Sequence, residues 1–203
     1  LDTINHQSVI PNHIRSLCVY CGSATGNDIQ YTSAARSLAA ALVNHKIDLI
    51  YGGGKVGLMG IIADEVMRLG GQVTGVIPQA LLNKEVGHQH LTQLHVVSDM
   101  HERKAMMTKL SDGFIAMAGG LGTLEELFEM LTWSQLGIHD KPIGVLNTDG
   151  FYDGLIKFSH HLVDQGFLRR SHADLMMHEV DPGNLIKRML AFVPDRATKI
   201  LNL

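Results

Sequence analysis

The stretch Gly113-Phe114-Ile115-Ala116-Met117-Ala118-Gly119-Gly120-Leu121-Gly122-Thr123-Leu124-Glu125-Glu126 decides how the chain is read. A short apolar run ends in closely spaced glycines and opens into an acidic segment of helical period, so it reads as a strand, a tight turn and a helix. Glycine lets backbone approach an anion closely, and the first N–H groups of the following helix point at that anion along a favourable dipole. The turn therefore predicts a phosphate seat with a carboxylate beside it, and a nucleotide as the ligand.

The same alternation recurs along the chain. Leu17–Cys21, Asp48–Tyr51, Gln72–Ile77, His95–Val97, Gly113–Met117, Ile143–Leu146 and Met176–Val180 read as strands. Helical period covers 29–45, 57–70, 101–111, 123–138, 151–166 and 182–192. Short apolar strands alternating with helices predict an α/β fold, a Rossmann-like doubly wound sandwich with a parallel sheet of about seven strands. Residues 16–193 are expected to form this single domain, with residues 1–15 a poorly ordered extension and 194–203 a tail. Ligands of such sheets sit beyond the carboxyl ends of the strands. Three strand ends carry small residues there: Cys21-Gly22-Ser23, Gly52-Gly53-Gly54-Lys55-Val56-Gly57, and the turn at Gly119 to Thr123.

The composition narrows the ligand. In 203 residues, 45% are hydrophobic and 18% charged, with a net charge of -3, as in ordinary globular chains. That balance lacks the clustered basic excess of a nucleic-acid surface, so a nucleic acid polymer is not an expected partner. No run approaches the roughly 20 apolar residues of a membrane span, and the polar start lacks a signal pattern, so no membrane association and a cytoplasmic location are expected.

Other motifs are weaker. Gly52, Gly54 and Gly57 match G-x-G-x-x-G, but no acidic residue closes the next strand for a dinucleotide ribose, and Lys55 is followed by Val56 where a Walker loop has Ser or Thr. Cys18 and Cys21 spell C-x-x-C within a strand, where residues three apart face opposite sides, and no second pair completes a zinc site. The twelve histidines, including His88/His90 and His160/His161, show no metal-binding pattern and read as scattered surface residues. Neither a metal nor a cofactor is expected.

Two segments flank the seat. Asp99 and Glu102 are spaced as a helix N-cap and its reciprocal partner, which places Arg103 and Lys104 in the first turns, where cations oppose the dipole and call for an anion nearby. Thr123 and Glu126 have capping-box spacing. Leu124, Leu127, Phe128, Leu131 and Gln135 define a face expected to pack on the sheet. Met130 and Trp133 fall opposite, which predicts a homodimer through this helix.

Together, Met100-His101-Glu102-Arg103-Lys104 followed by Gly119-Gly120-Leu121-Gly122-Thr123-Leu124-Glu125-Glu126 resembles the LONELY GUY (LOG) family of cytokinin-activating phosphoribohydrolases. The similarity runs from about Ser16 to Leu190, with Ala118 standing where the family pattern has proline. The resemblance implies hydrolysis of the N-glycosidic bond of a nucleoside 5′-monophosphate to free base and ribose 5-phosphate. It implies Arg103 and Glu126 as the catalytic pair. Gly22, Ser23, Gly53, Gly54, Glu85, Lys104, Gly119, Gly120, Leu121, Gly122 and Thr123 are then expected to bind substrate or its phosphate. Met107, Met130 and Trp133 are candidates for an apolar pocket that would take a prenylated adenine, while plain AMP fits such a site equally. A lysine decarboxylase, the label attached to similar proteins, is not expected, because no lysine has a Schiff-base context. The alternative from another class is a nucleotide-binding carrier or sensor without turnover.

Overall fold

The computed structural model describes residues 13–82, 87–88 and 90–194. Most of the expected N-terminal extension and tail, and the candidate Glu85, lie outside the described residues. One sheet of seven strands runs through the molecule in the order β4-β3-β2-β1-β5-β6-β7. The strands are β1 (Ser16–Tyr20), β2 (Asp48–Tyr51), β3 (Val73–Pro78), β4 (Gln93–Val97), β5 (Phe114–Ala116), β6 (Ile143–Leu146) and β7 (Met176–Glu179). Every neighbouring pair is parallel. Among the described residues no helix is long and apolar enough to cross a membrane.

Eight helices connect them: α1 (Ile29–Asn44), α2 (Gly57–Arg68), α3 (Gln79–Leu82), α4 (Met100–Leu110), α5 (Leu121–Leu136), α6 (Asp153–Asp164), α7 (Arg170–Ala173) and α8 (Pro182–Leu190). The single-turn helices α3 and α7 are too short to show a period and were not expected from the residue pattern. Local chemistry sets the other boundaries. Asp28 and Asp181 cap α1 and α8 by accepting from Gln30 and Asn184 N–H, each at 2.8 Å. Gly137, at φ 87, ends α5 in the left-handed conformation that glycine adopts without strain.

The sheet separates two apolar layers. Leu17 and Val19 of β1, and Cys21 just past its end, face α1, α2 and α8, packing with Leu38, Ile62 and Leu185. Cys18 and Tyr20 point the other way, into a layer with Met107, Leu127, Met130 and Tyr152. The two cysteines are buried, free, and on opposite faces of the strand, as their spacing requires. Two histidines depart from the surface reading: His88 and His172 are buried, because polar neighbours can hydrogen-bond an imidazole inside the fold.

Helix α5 corrects two expectations. Its N-cap is Gly120, not Thr123, so Thr123 lies inside the first turn and forms no capping box with Glu126. Its buried stripe is Thr123, Leu127, Met130 and Ser134, while Phe128 is 45% exposed. Met130 therefore belongs to the core, and Trp133 is partly buried against the same cluster. The stripe escaped a hydrophobicity reading because two of its four members are small hydroxyl residues, whereas the most apolar residues spread around the helix.

Met130→Ala should lower unfolding free energy by about 2–4 kcal/mol through lost burial and a residual cavity. Phe128→Ala should cost less than about 1 kcal/mol in the monomer. Urea unfolding of both variants checks the orientation of α5; equal costs would reverse it.

Candidate active site at the β1 and β5 strand ends

The chain leaves β1 and β5 side by side, and backbone bonds lock the two exits together. Gly22 N–H donates to Ala118 O at 3.0 Å, and Leu58 N–H to Gly22 O at 3.0 Å. The bond to Ala118 holds this turn in a position where the resemblance expects proline. A β-carbon on Gly119 would strike the Thr123 side chain and come within 2.9 Å of Gly22 N, so the close approach requires glycine. Gly120 makes no side-chain cap, which leaves the first N–H groups of α5 facing the cavity without a capping side chain.

A cavity of about 260 Å³ opens here. Gly22, Ser23 and Gly120 to Thr123 form one wall, and Arg103 and Glu126 another; Met59 and Met100 add apolar surface. These elements are far apart in sequence, and the strand order brings them together. Met107 and Met130, expected to shape an apolar pocket, are each 1% exposed in the core and do not line this cavity. Gly53 and Gly54 are buried one strand further on, also outside the lining. A second cavity of about 310 Å³, walled by Tyr31 and Phe151, shares Gly22, Ser23 and Gly120 with the first.

Helix α4 aims Arg103. Asp99 caps it by accepting from His101 and Glu102 N–H at 2.8 and 2.9 Å. Glu102 reaches back one residue further than a reciprocal cap would, accepting from Ser98 N–H and Oγ at 2.8 and 2.7 Å. Arg103 as a residue is only 7% exposed. Its Nη2 donates to Gly52 O at 3.0 Å, and Nη1 lies 3.6 Å from Met100 Sδ. Nε has no protein partner. A guanidinium has five N–H donors, so several remain available to an anion or hydroxyl placed in the cavity. A side chain on Gly52 would occupy the space of Nη2, which explains a glycine at that strand end.

Lys104 lies outside the cavity lining. Its Nζ bridges Glu125 Oε1 at 2.6 Å and Glu129 Oε1 at 3.0 Å, joining α4 to α5 beside the Arg103 and Glu126 positions. The anion that a cation in the first turn of α4 calls for is thus supplied by two carboxylates of α5. The sequence shows all three charges but no spacing that pairs them.

Burial pushes the Glu126 carboxyl up to about 7, with Glu125 and Glu129 adding to the rise and Arg103 and Lys104 opposing it. A carboxyl that changes charge near neutrality, beside a buried guanidinium and an uncapped helix start, can accept a proton or stabilise a developing cation. Among the described residues no cluster of His, Cys, Asp and Glu has a metal-binding arrangement.

Comparisons with known proteins follow this geometry. Residues 59–189 match the family described as possible lysine decarboxylase. The chain is 44% identical to the cytokinin riboside 5′-monophosphate phosphoribohydrolase LOG1 of Arabidopsis thaliana, over 91% of this chain and 87% of the relative. It is 46% identical to the probable enzyme of the same description, LOGL9, of Oryza sativa subsp. japonica, over 93% and 82%. Among solved structures, the molybdenum cofactor carrier protein of Chlamydomonas reinhardtii aligns with a TM-score of 0.61 at 20% identity, over 87% of this chain and 98% of that one. The molybdenum cofactor binding protein of Rippkaea orientalis gives 0.63 at 20% identity, over 85% and 93%. Likeness at that identity establishes the fold alone.

The raised Glu126 value carries a stability cost with a definite sign. Its folded value of about 7 exceeds the ordinary 4.5, so between those values the folded state holds more protons than the unfolded one. Stability contributed by this group is therefore full below about 4.5 and is lost as pH rises through 7. Glu126→Gln should melt higher than the parent at pH 8 and at nearly the same temperature at pH 4.5; an equal difference at both pH values would refute the burial argument.

Proposed function

The chain belongs to the LONELY GUY family, the group also described as possible lysine decarboxylases, and from that premise we propose that it hydrolyses a nucleoside 5′-monophosphate to free base and ribose 5-phosphate. The observation that carries the reading is the junction of Arg103, Glu126 and the uncapped start of α5 in one cavity. The relatives' names supply the substrate class, a cytokinin riboside 5′-monophosphate.

In this reading the 5′-phosphate sits on the N–H groups from Gly120 to Thr123, helped by Gly22 and Ser23, while the ribose lies towards Glu126. The helix dipole and backbone donors neutralise the phosphate, so no lysine is needed at the seat. The C1′–N bond breaks with its electron pair leaving to the base, and positive charge builds on C1′ and the ring oxygen. Ionised Glu126 stabilises that charge and takes a proton from the attacking water. The water oxygen bonds to C1′ while its second hydrogen stays as the new hydroxyl, and the proton held by Glu126 passes to the departing base, which restores the carboxylate. A guanidinium is a poor proton donor, so the part of Arg103 is to orient the ribose and favour the ionised form of Glu126. Met59 and Met100 offer apolar surface to the base.

A decarboxylase reading fits these residues poorly. That chemistry needs a lysine to hold pyridoxal phosphate as a Schiff base, and among the described residues no lysine lines the cavity. A carrier or sensor would use the same phosphate seat without needing a carboxyl that ionises near neutrality.

The proposal includes a homodimer. With Met130 in the core, its surface moves to the apolar groove where Phe128 and Leu131 of α5 face Leu155, Phe158 and Leu162 of α6. Phe158 is 54% exposed, so a second copy would cover it. Sedimentation velocity of the parent should give a dimer and of Phe158→Asp a monomer; a monomeric parent would remove this part of the reading.

Chromatography of products from AMP and from isopentenyladenosine monophosphate tests the chemistry. The parent should release base together with ribose 5-phosphate, and Glu126→Gln should release none while staying folded. Arg103→Ala should slow release at least about tenfold, near 1.4 kcal/mol of transition-state stabilisation. It should also move the rising acid limb of the rate to higher pH, because the cation that favours ionised Glu126 is gone. Nucleotide binding without base release would identify a carrier or sensor.

A further inference from the structure

Three consecutive glycines, Gly52-Gly53-Gly54, follow β2. Such a run has no side chain to anchor it and loses more conformational freedom on folding than any other tripeptide. Its peptide planes are held by groups outside the run. Arg103 Nη2 donates to Gly52 O at 3.0 Å. The next carbonyl, Gly53 O, accepts from His88 N–H at 3.1 Å, and Gly54 forms an antiparallel bridge with Gly87. Gly53 itself sits at φ 73, in the left-handed region.

His88 is fixed in turn. It is 3% exposed, and its Nε2 lies 2.8 Å from Asp64 Oδ1 on α2. His90 N–H approaches its Nδ1 at 3.4 Å. The neutral tautomer with hydrogen on Nε2 satisfies both contacts. Helix α2 begins where the glycine loop ends, so the bond from Asp64 to His88 closes a ring around that loop: α2, His88, Gly53 and back. Neither His88 nor Asp64 lines the cavity.

We propose that His88, clasped by Asp64, is a positioning residue for Arg103, because it holds the glycine run whose Gly52 carbonyl seats the guanidinium. Among the described residues, Arg103 is the only cation in the cavity wall. Its only oxygen partner among the described contacts is that carbonyl. Without the side-chain clasp the His88 main chain can shift and release the Gly53 carbonyl; that frees the Gly53–Gly54 peptide and the backbone angles of Gly53 next to the Gly52 carbonyl, and Arg103 loses its seat while its charge and helix stay in place. The proposal rests on the phosphoribohydrolase reading for the reaction, and on geometry alone for the coupling.

A double-mutant cycle in the full chain tests it. His88→Ala should lower kcat/KM for AMP about fivefold in the parent and less than about 1.5-fold in Arg103→Ala, since a residue acting through Arg103 has nothing left to position. His88→Gln, which keeps a side-chain donor, should recover part of the loss. Asp64→Ala removes only the exposed end of the clasp, its carboxylate being 61% exposed, so it reports even where His88→Ala folds poorly. It should show the same dependence on Arg103. Equal losses with and without Arg103, or lower melting temperatures with unchanged kcat/KM, would make the clasp purely structural and overturn the proposal. Should the parent bind AMP without releasing adenine, the functional reading fails, and the same cycle run on AMP affinity by calorimetry still decides: a loss confined to the Arg103 background supports positioning, and equal losses or none refute it.

Discussion

The reversal of strand order between β1 and β5 is the constraint on which the rest depends. Strands added after β1 extend the sheet one way, and those after β5 extend it the other. Right-handed crossovers then send α1 and α5 to opposite faces of the sheet. Their first turns diverge, and the gap between them is a crevice that no side chain of either layer has to fill. Gly22, Ser23 and the start of α5 line it because they leave these two strands. Close packing of the exits, with Gly22 bonded to Ala118 and Thr123 folded over Gly119, keeps the crevice narrow.

Charge is then placed in that crevice at a cost. Burial opposes ionisation of Glu126, and two neighbouring glutamates add to the opposition. Arg103 and Lys104 work against this from α4, one as a buried guanidinium and the other through two ion pairs. The balance leaves a carboxyl that titrates near neutrality instead of a permanently ionised one. A buried carboxyl poised in this way weakens the fold at alkaline pH, a tension common where an active site needs a group the core would reject. The two ends of this arrangement are held differently: Glu126 by a long helix packed on the sheet, Arg103 by a helix turn and one carbonyl in a glycine loop.

Where the sequence was legible, the reason was periodicity or a turn that only glycine can make. The seven strands and six longer helices follow from apolar runs and helical period, and the two missed helices are single turns. The tight turn at Gly119 was readable because close backbone approach excludes side chains. The face of α5 was misread, since Thr123 and Ser134 are buried by position and not by hydrophobicity, and Met130 joined them in the core. The Thr123 to Glu126 spacing matched a capping box, yet the helix starts at Leu121, so spacing without the helix boundary carried no meaning.

By itself, then, the sequence determined the class of fold, the tight glycine turn before α5 and the family, because each is encoded in residues close together or in motifs of fixed order. Tertiary structure alone decided which charges meet. Lys104 pairs with Glu125 and Glu129 across 21 and 25 residues, Arg103 rests on Gly52 across 51, and His88 reaches Asp64 across 24. The physical reason is that hydrogen bonds and ion pairs depend on distances of about 3 Å, which are set by the order of strands in the sheet and leave no period in the chain.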